Sequence, residues 1–186
     1  PDGWLFEDVR IDEFERIWIP YFDLDRDYGA IRADLSARHE ILAKAAAFAP
    51  GIRILCQDKW EALCSFIISQ CNNIPRIKGI VEKLCSLYGE PVEAPWGEAR
   101  AFPTAERVAE LSEEALSPLR SGYRAPYILA AARAVAGCDI DLDATALLPC
   151  GEARAELKKL NGVGDKVANC VVLFGLHQLD AFPVDV

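Results

Sequence analysis

The sequence predicts an all-α fold, two helical lobes with a helix–hairpin–helix at their junction, on three observations. From Ser36 onward, apolar residues recur at helical spacing in nearly every segment. One stretch, Trp60 to Ile68, leaves almost no polar face and reads as the buried central helix of the body. The third is Leu160-Asn161-Gly162-Val163-Gly164-Asp165-Lys166-Val167-Ala168-Asn169-Cys170, a Gly-x-Gly reversal set between two short helices. The rest of the chain is organised around that reversal.

In order, residues 1–30 are aromatic and acidic (Trp4, Phe6, Phe14, Trp18, Tyr21, Phe22) and read as a partly helical apron, the tail of an N-terminal module. The helical body is expected over residues 31–186. Residues 37–49 are alanine-rich and stop at Pro50-Gly51, a helix end. Asp58 is placed to cap the Trp60 helix, and Asn72-Asn73-Ile74-Pro75 breaks it. Pro75 opens the next helix, where its missing N–H costs nothing, and that helix runs to about Tyr88.

Pro91 to Pro103, rich in Pro, Gly and Glu, reads as a loop and a hinge. Short helices follow at about 104–110 and 112–119. Gly122-Tyr123-Arg124-Ala125-Pro126 then turns into an alanine-rich helix ending near Gly137. The hairpin occupies 151–177: a helix over Gly151–Leu160, then one over Lys166–Leu176 with Val167, Cys170, Val171 and Phe174 inward. The chain opens at Pro1 without a methionine and stops at Val186, and it reads as a fragment of a longer protein.

Composition is that of an ordinary globular protein, 52% hydrophobic and 26% charged, with no apolar run of membrane-span length. The seven cysteines form no CxxC pair and sit mostly on apolar helical faces, which points to a reducing, intracellular compartment. The net charge of −9 argues against a nucleic-acid partner when taken whole. Its distribution reverses that argument. Residues 1–40 hold eleven acids and five bases, −6 of the total, whereas residues 115–138 hold Arg120, Arg124 and Arg133 and no acid. A locally basic face with a modest electrostatic grip is expected.

The hairpin suggests its own chemistry. Gly162 and Gly164 stand where a tight reversal needs positive φ, and they leave the backbone around Val163 bare. Consecutive N–H groups at the second helix's start can then hold one phosphate. Lys166 lies in that helix's first turn, where the macrodipole disfavours a cation. Burial there would expose a neutral, nucleophilic amine, with Cys170 four residues on along the same face. Pro183-Val184 delivers Asp185 in extended conformation. Taken singly, each feature has a plainer reading: a structural turn, a solvated lysine, an aspartate that caps a following helix. The conjunction carries the weight.

Hairpin, lysine and Pro-Val-Asp together resemble the helix–hairpin–helix DNA glycosylases, and the Gly-Val-Gly-x-Lys-Val-Ala form is most similar to 8-oxoguanine DNA glycosylase. Two further segments match in order. Phe66-Ile67-Ile68-Ser69-Gln70-Cys71-Asn72-Asn73-Ile74-Pro75-Arg76 resembles a family segment with three consecutive asparagines, the first of them here replaced by Cys71. Gly122-Tyr123-Arg124 resembles the segment whose tyrosine wedges beside the unpaired base. Alone, Asn72-Asn73 is a turn signal and Tyr123-Arg124 a tyrosine corner with a solvated arginine. The resemblance covers nearly everything from Tyr21 onward.

It implies the following. Residues 1–30 are a remnant of an N-terminal α/β module whose core is an antiparallel sheet. The chain removes oxidised purine, 8-oxoguanine opposite cytosine, from duplex DNA in base excision repair, as a DNA N-glycosylase with AP lyase activity, a monomer working on chromosomal DNA. Lys166 forms a Schiff base and Asp185 stabilises the positive charge developing on the sugar. Cys170 lines the lesion pocket, Asn72 or Asn73 fills the gap left by the extruded base, and Arg76 and Arg124 read the opposite cytosine. No organic cofactor is required, although a Na⁺ or K⁺ ion is expected on the carbonyls of Lys158, Leu160 and Val163. The alternatives are a superfamily glycosylase for oxidised pyrimidines and a non-catalytic hairpin module that only binds DNA.

Overall fold

The computed structural model describes residues 6–94 and 97–184, and the chain divides into two compact units between Cys56 and Gln57. That boundary falls well past residue 30. The first unit starts with a helical run, Ile11–Glu13, a π-helical Phe14–Trp18 and Ile19–Tyr21, followed by α1 (Tyr28–Arg38) and α2 (Glu40–Phe48). Long-range bonds tie these pieces together. Arg32 Nη1 donates to the Pro50 carbonyl at 2.7 Å, and the Tyr28 hydroxyl donates to Asp23 at 2.9 Å while accepting from Ile54 N–H at 3.0 Å. Helical periodicity carries no trace of such bonds, so the sequence places the boundary too early.

Aromatic rings fill this unit, with Phe6 edge-on to Phe14 and Trp18 stacked on Phe22. No strand occurs among its described residues, whereas the resemblance implies a sheet in this module. The helix expected over 37–49 begins instead at Glu40. His39 is extended (φ −161°, ψ 142°), ends α1, and caps α2 by accepting the Ile41 N–H on its ring Nδ1.

The second unit is built on α3 (Lys59–Ser69), which packs against α4 (Ile74–Tyr88), α6 (Ala125–Ala136) and α9 (Asp165–Phe174). Asp58 caps α3 by accepting the Glu61 N–H at 2.8 Å, and Trp60, Leu63, Cys64, Ile67 and Ile68 are all buried. Burial drives the Cys64 thiol far above its ordinary range, which makes it a packing group and not a nucleophile. Asn73 caps α4 through the Arg76 N–H, with Pro75 in the first turn. Around this axis lie α5 (Ala105–Ala109), α7 (Leu142–Ala146) and α8 (Cys150–Leu157). One core joins them, drawing Leu84, Val108, Ile128, Leu157 and Val171 together.

The expected Pro91–Pro103 hinge is in fact a β-hairpin. Strands β1 (Pro91–Ala94) and β2 (Gly97–Arg100) pair antiparallel, with Val92 opposite Ala99 and Glu93 opposite Glu98. Gly97 takes φ +120°, which only glycine accepts easily, and the Ala101 N–H continues the ladder to the Glu90 carbonyl. The short, acidic, Pro-flanked strands hide this hairpin from periodicity. Among the described residues, no helix is long and apolar enough to cross a membrane.

Candidate active site

The hairpin links α8 to α9 through turns that bond Leu160 N–H to Leu157 O and Val163 N–H to Leu160 O, both at 3.1 Å. Leu160 and Val163 are buried and anchor the turn in the core. Gly162 has φ +85°, and a β-carbon there would lie 2.5 Å from the Tyr127 ring, so this position needs glycine on two counts. Gly164 differs from the expectation of positive φ. It is extended (φ −92°, ψ −174°) and N-caps α9, and open space surrounds the place of its missing β-carbon. Its value lies in bareness. It supplies no capping oxygen, so the first amides of α9 keep their donors for an outside acceptor.

Lys166 follows in the first turn of α9, and its side chain is exposed. The six residues that follow, Val167 to Val172, are all buried, so exposure ends at the first turn of α9. Cys170 is buried at 5% exposure, one helical turn further into the body.

Asp165 was not singled out in the sequence, yet it stands at the same helix start. Its carboxylate meets Lys158 Nζ across the turn at 2.7 Å, and that ammonium, with a lesser contribution from Arg154, holds it below the ordinary carboxylate range. Nor was Asn169 anticipated. Its amide donates to the Asp165 carbonyl at 2.8 Å and its oxygen accepts from Arg154 Nη1 at 3.4 Å, bracing the turn that carries Lys166. A lone polar residue inside the apolar run Val167–Val172 was the available signal.

The Gln70–Asn73 loop links α3 to α4. Asn72 Nδ2 donates to Ile68 O at 3.1 Å, and Asn73 caps α4, so both side chains serve the chain itself. This is the turn reading of Asn72-Asn73. Cys71 is exposed at the loop with φ +46°. Tyr123, half exposed, sends its hydroxyl to Gln70 O at 3.3 Å and sets its ring edge-on to Tyr127, the residue against Gly162. Tyr127 thus bridges the wedge segment and the hairpin, a link the sequence did not reveal.

Arg124 departs from expectation. It is 2% exposed, and its guanidinium donates to the carbonyls of Gln70, Cys71 and Ser121 rather than facing outward. Arg76 is exposed, with Nη2 on the Arg120 carbonyl at 3.0 Å. The paired guanidinium fork expected for base reading is therefore not formed, and the basic face of residues 115–138 loses one cation to the interior. Asp185 lies outside the described residues. Among those described, no three His, Cys, Asp or Glu side chains cluster as a metal site.

A family model described as HhH-GPD superfamily base excision DNA repair protein matches residues 64–186. The chain belongs to that superfamily. A second model, 8-oxoguanine DNA glycosylase, N-terminal domain, matches residues 5–63 of this HhH-GPD protein. The Saccharomyces cerevisiae protein named N-glycosylase/DNA lyase is 42% identical over 175 residues, 83% of this chain and 46% of its own length. Arabidopsis thaliana N-glycosylase/DNA lyase OGG1 is 36% identical, over 82% of this chain and 43% of its own. The Clostridium acetobutylicum 8-oxoguanine glycosylase/lyase, solved with double-stranded DNA containing cytosine opposite 8-oxoG, superposes with a TM-score of 0.90 at 39% identity. That match covers 95% of this chain and 61% of the other. The chain spans less than half the length of these two curated relatives.

Proposed function

We propose that this HhH-GPD chain forms part of a monomeric base-excision-repair DNA N-glycosylase and AP lyase that removes 8-oxoguanine opposite cytosine from duplex chromosomal DNA. The observation that carries the reading is Lys166, exposed in the first turn of α9 directly after the bare Gly164 cap. Backbone amides at that cap take a phosphate and fix the strand, while the loop at Cys71 and the Tyr123 ring meet the site of the extruded base. The duplex, once seated, excludes water from Lys166 and favours its neutral amine. That amine attacks C1′ of the sugar, the bond to the base breaks, and the base leaves with the electron pair and gains a proton. Loss of the amine proton and ring opening give an imine. Loss of a proton from C2′ then expels the 3′ phosphate and nicks the strand.

Asp185 stabilises the positive charge on the sugar in this scheme, a role supported by the resemblance alone. Cys170, one helical turn beyond Lys166, lines the lesion pocket in this scheme, a role supported by the resemblance and by its spacing from Lys166. The carbonyls of Lys158, Leu160 and Val163 are neutral oxygen donors suited to Na⁺ or K⁺. Leu160 O already accepts the Val163 N–H, which leaves one lone pair for such an ion. When bound, the ion would add positive charge beside the phosphate.

Borohydride trapping of the natural protein on four duplexes tests the function: 8-oxoguanine opposite cytosine, an oxidised pyrimidine, 3-methyladenine, and undamaged DNA. The covalent complex is expected on the first. Trapping on none, with no base released either, would leave a binding module, and preference for the pyrimidine would assign the other enzyme. A second expectation concerns salt. One hairpin on a chain of net charge −9 should make few phosphate contacts, each contributing about −0.9 to the slope of log K against log [salt]. A titration giving a slope for about eight or more phosphates would contradict this grip.

A further inference from the structure

We propose that a cationic groove beside α4, lined by Arg76, Gly79, Ile80, Lys83, Leu119 and Arg120, holds a backbone phosphate of duplex DNA distinct from the one at the hairpin. Lys83 and Arg120 supply the charge. Both are exposed, and no ion pair among the described residues takes Lys83, Arg120 or Arg76. The chain carries a net charge of −9, yet the one acid of α4, Glu82, does not line this groove. Neutral carbonyls order the cations without cancelling them. Lys83 Nζ donates to Pro118 O at 3.5 Å, and Arg76 Nη2 donates to Arg120 O at 3.0 Å. The floor is fixed, because Ile80 and Leu119 are buried.

Two residue choices at this groove run against local stability. Gly79 lies inside α4, where alanine would favour the helix, and a β-carbon there would meet nothing within 4 Å. Among the described residues, then, no contact requires glycine at this point; a ligand seated on bare backbone would. Arg120 shows the reverse. It ends the 3₁₀ turn Ser117–Leu119 at φ +53°, a left-handed conformation suited to glycine, yet it carries a cationic side chain. Glycine stands where alanine would fold better and arginine where glycine would, and both exceptions line one groove.

That the ligand is DNA rests on the function proposed above. Arg120 stands three residues before Tyr123, which meets the site of the extruded base in that scheme, and such a stretch spans about 11 Å at most. The major groove of DNA is about 12 Å wide, so a duplex seated at Tyr123 brings backbone past Arg120 and Lys83. The test measures affinity of the natural, full-length protein across a salt series, on an undamaged duplex and on one bearing a stable abasic analogue. Lys83→Gln and Arg120→Gly should each raise Kd about fivefold at low salt and flatten the slope of log K against log [salt] by about 0.9. Lys83→Arg keeps the charge and should restore both. The losses should be the same on either duplex and for all four opposite bases, since phosphates carry no sequence.

Lys78→Gln, on the same helix but outside the groove, removes an equal charge and should flatten the slope much less. Urea melts separate binding from folding: Gly79→Ala should raise the unfolding midpoint and still weaken binding. Should Arg120→Gly fail to fold, Lys83→Gln and Gly79→Ala carry the test. Unchanged slopes in Lys83→Gln and Arg120→Gly overturn the phosphate site. So do a slope change in Lys78→Gln as large as in Lys83→Gln, a loss confined to duplexes with cytosine opposite, and undiminished binding in Gly79→Ala. The two readings fail separately. Flattened slopes in a protein that traps no lesion uphold the groove and refute the proposed function, while normal trapping with unchanged slopes does the reverse. A natural protein that binds no duplex overturns both.

Discussion

Lys166→Gln is expected to abolish the borohydride-trapped complex while leaving folding and lesion-DNA binding nearly intact. Glutamine keeps most of the length and a hydrogen-bond donor but has no amine able to form an imine. The residue is exposed, so the folded core should be retained. The proposed grip by the amides beyond Gly164 does not use the lysine side chain. Trapping efficiency, a urea melt and a binding titration on one preparation separate these effects. Retained trapping in the variant would move the nucleophile elsewhere.

Gly162→Ala should instead damage the fold. Alanine at a left-handed φ costs about 1–2 kcal/mol, and forcing its methyl against the Tyr127 ring adds about 1–3 kcal/mol. The total, about 2–5 kcal/mol, is a large part of a typical domain's stability. In a Tyr127→Ala background only the backbone cost should remain, so a double-mutant cycle in urea reads the contact directly. Gly164→Ala provides the contrast, since its extended backbone and open surroundings accept a methyl with only the smaller cost, about 0.5–1 kcal/mol, of alanine at an N-cap. It should weaken DNA binding more than folding, because in the proposed grip the methyl stands where a phosphate approaches. Equal destabilisation by the two substitutions would contradict the division of labour between the glycines.

The sequence is informative wherever a local rule decides the structure. The Asp58 cap, the apolar α3, the Asn73-Pro75 start of α4 and the two hairpin helices all follow from capping, periodicity and glycine chemistry. It fails where tertiary contacts decide. The β1–β2 pairing joins strands whose composition reads as loop, and the unit boundary depends on bonds such as Arg32 to Pro50.

The site divides in the same way. Three motifs separated by some forty residues each are joined through Tyr123, Tyr127 and Gly162, and Tyr127 belongs to none of them. Arg124 is a surface residue by type and a buried one by circumstance, because the open carbonyls at the end of α3 accept its guanidinium. Lys166 fails the other way. Four residues before buried Cys170 and on the same side of the helix, it is exposed because it stands in the first turn, and in the proposed scheme the DNA excludes water from it.

The most direct test of the central claim is to locate the covalent bond. The natural protein is trapped with borohydride on a duplex carrying 8-oxoguanine opposite cytosine and digested, and the modified peptide is sequenced by mass spectrometry. The deoxyribose fragment should be found on Nζ of Lys166, in the peptide running from the hairpin into α9. The same fragment on Lys158, Lys159 or any other amine would contradict the assignment of Lys166 as the nucleophile.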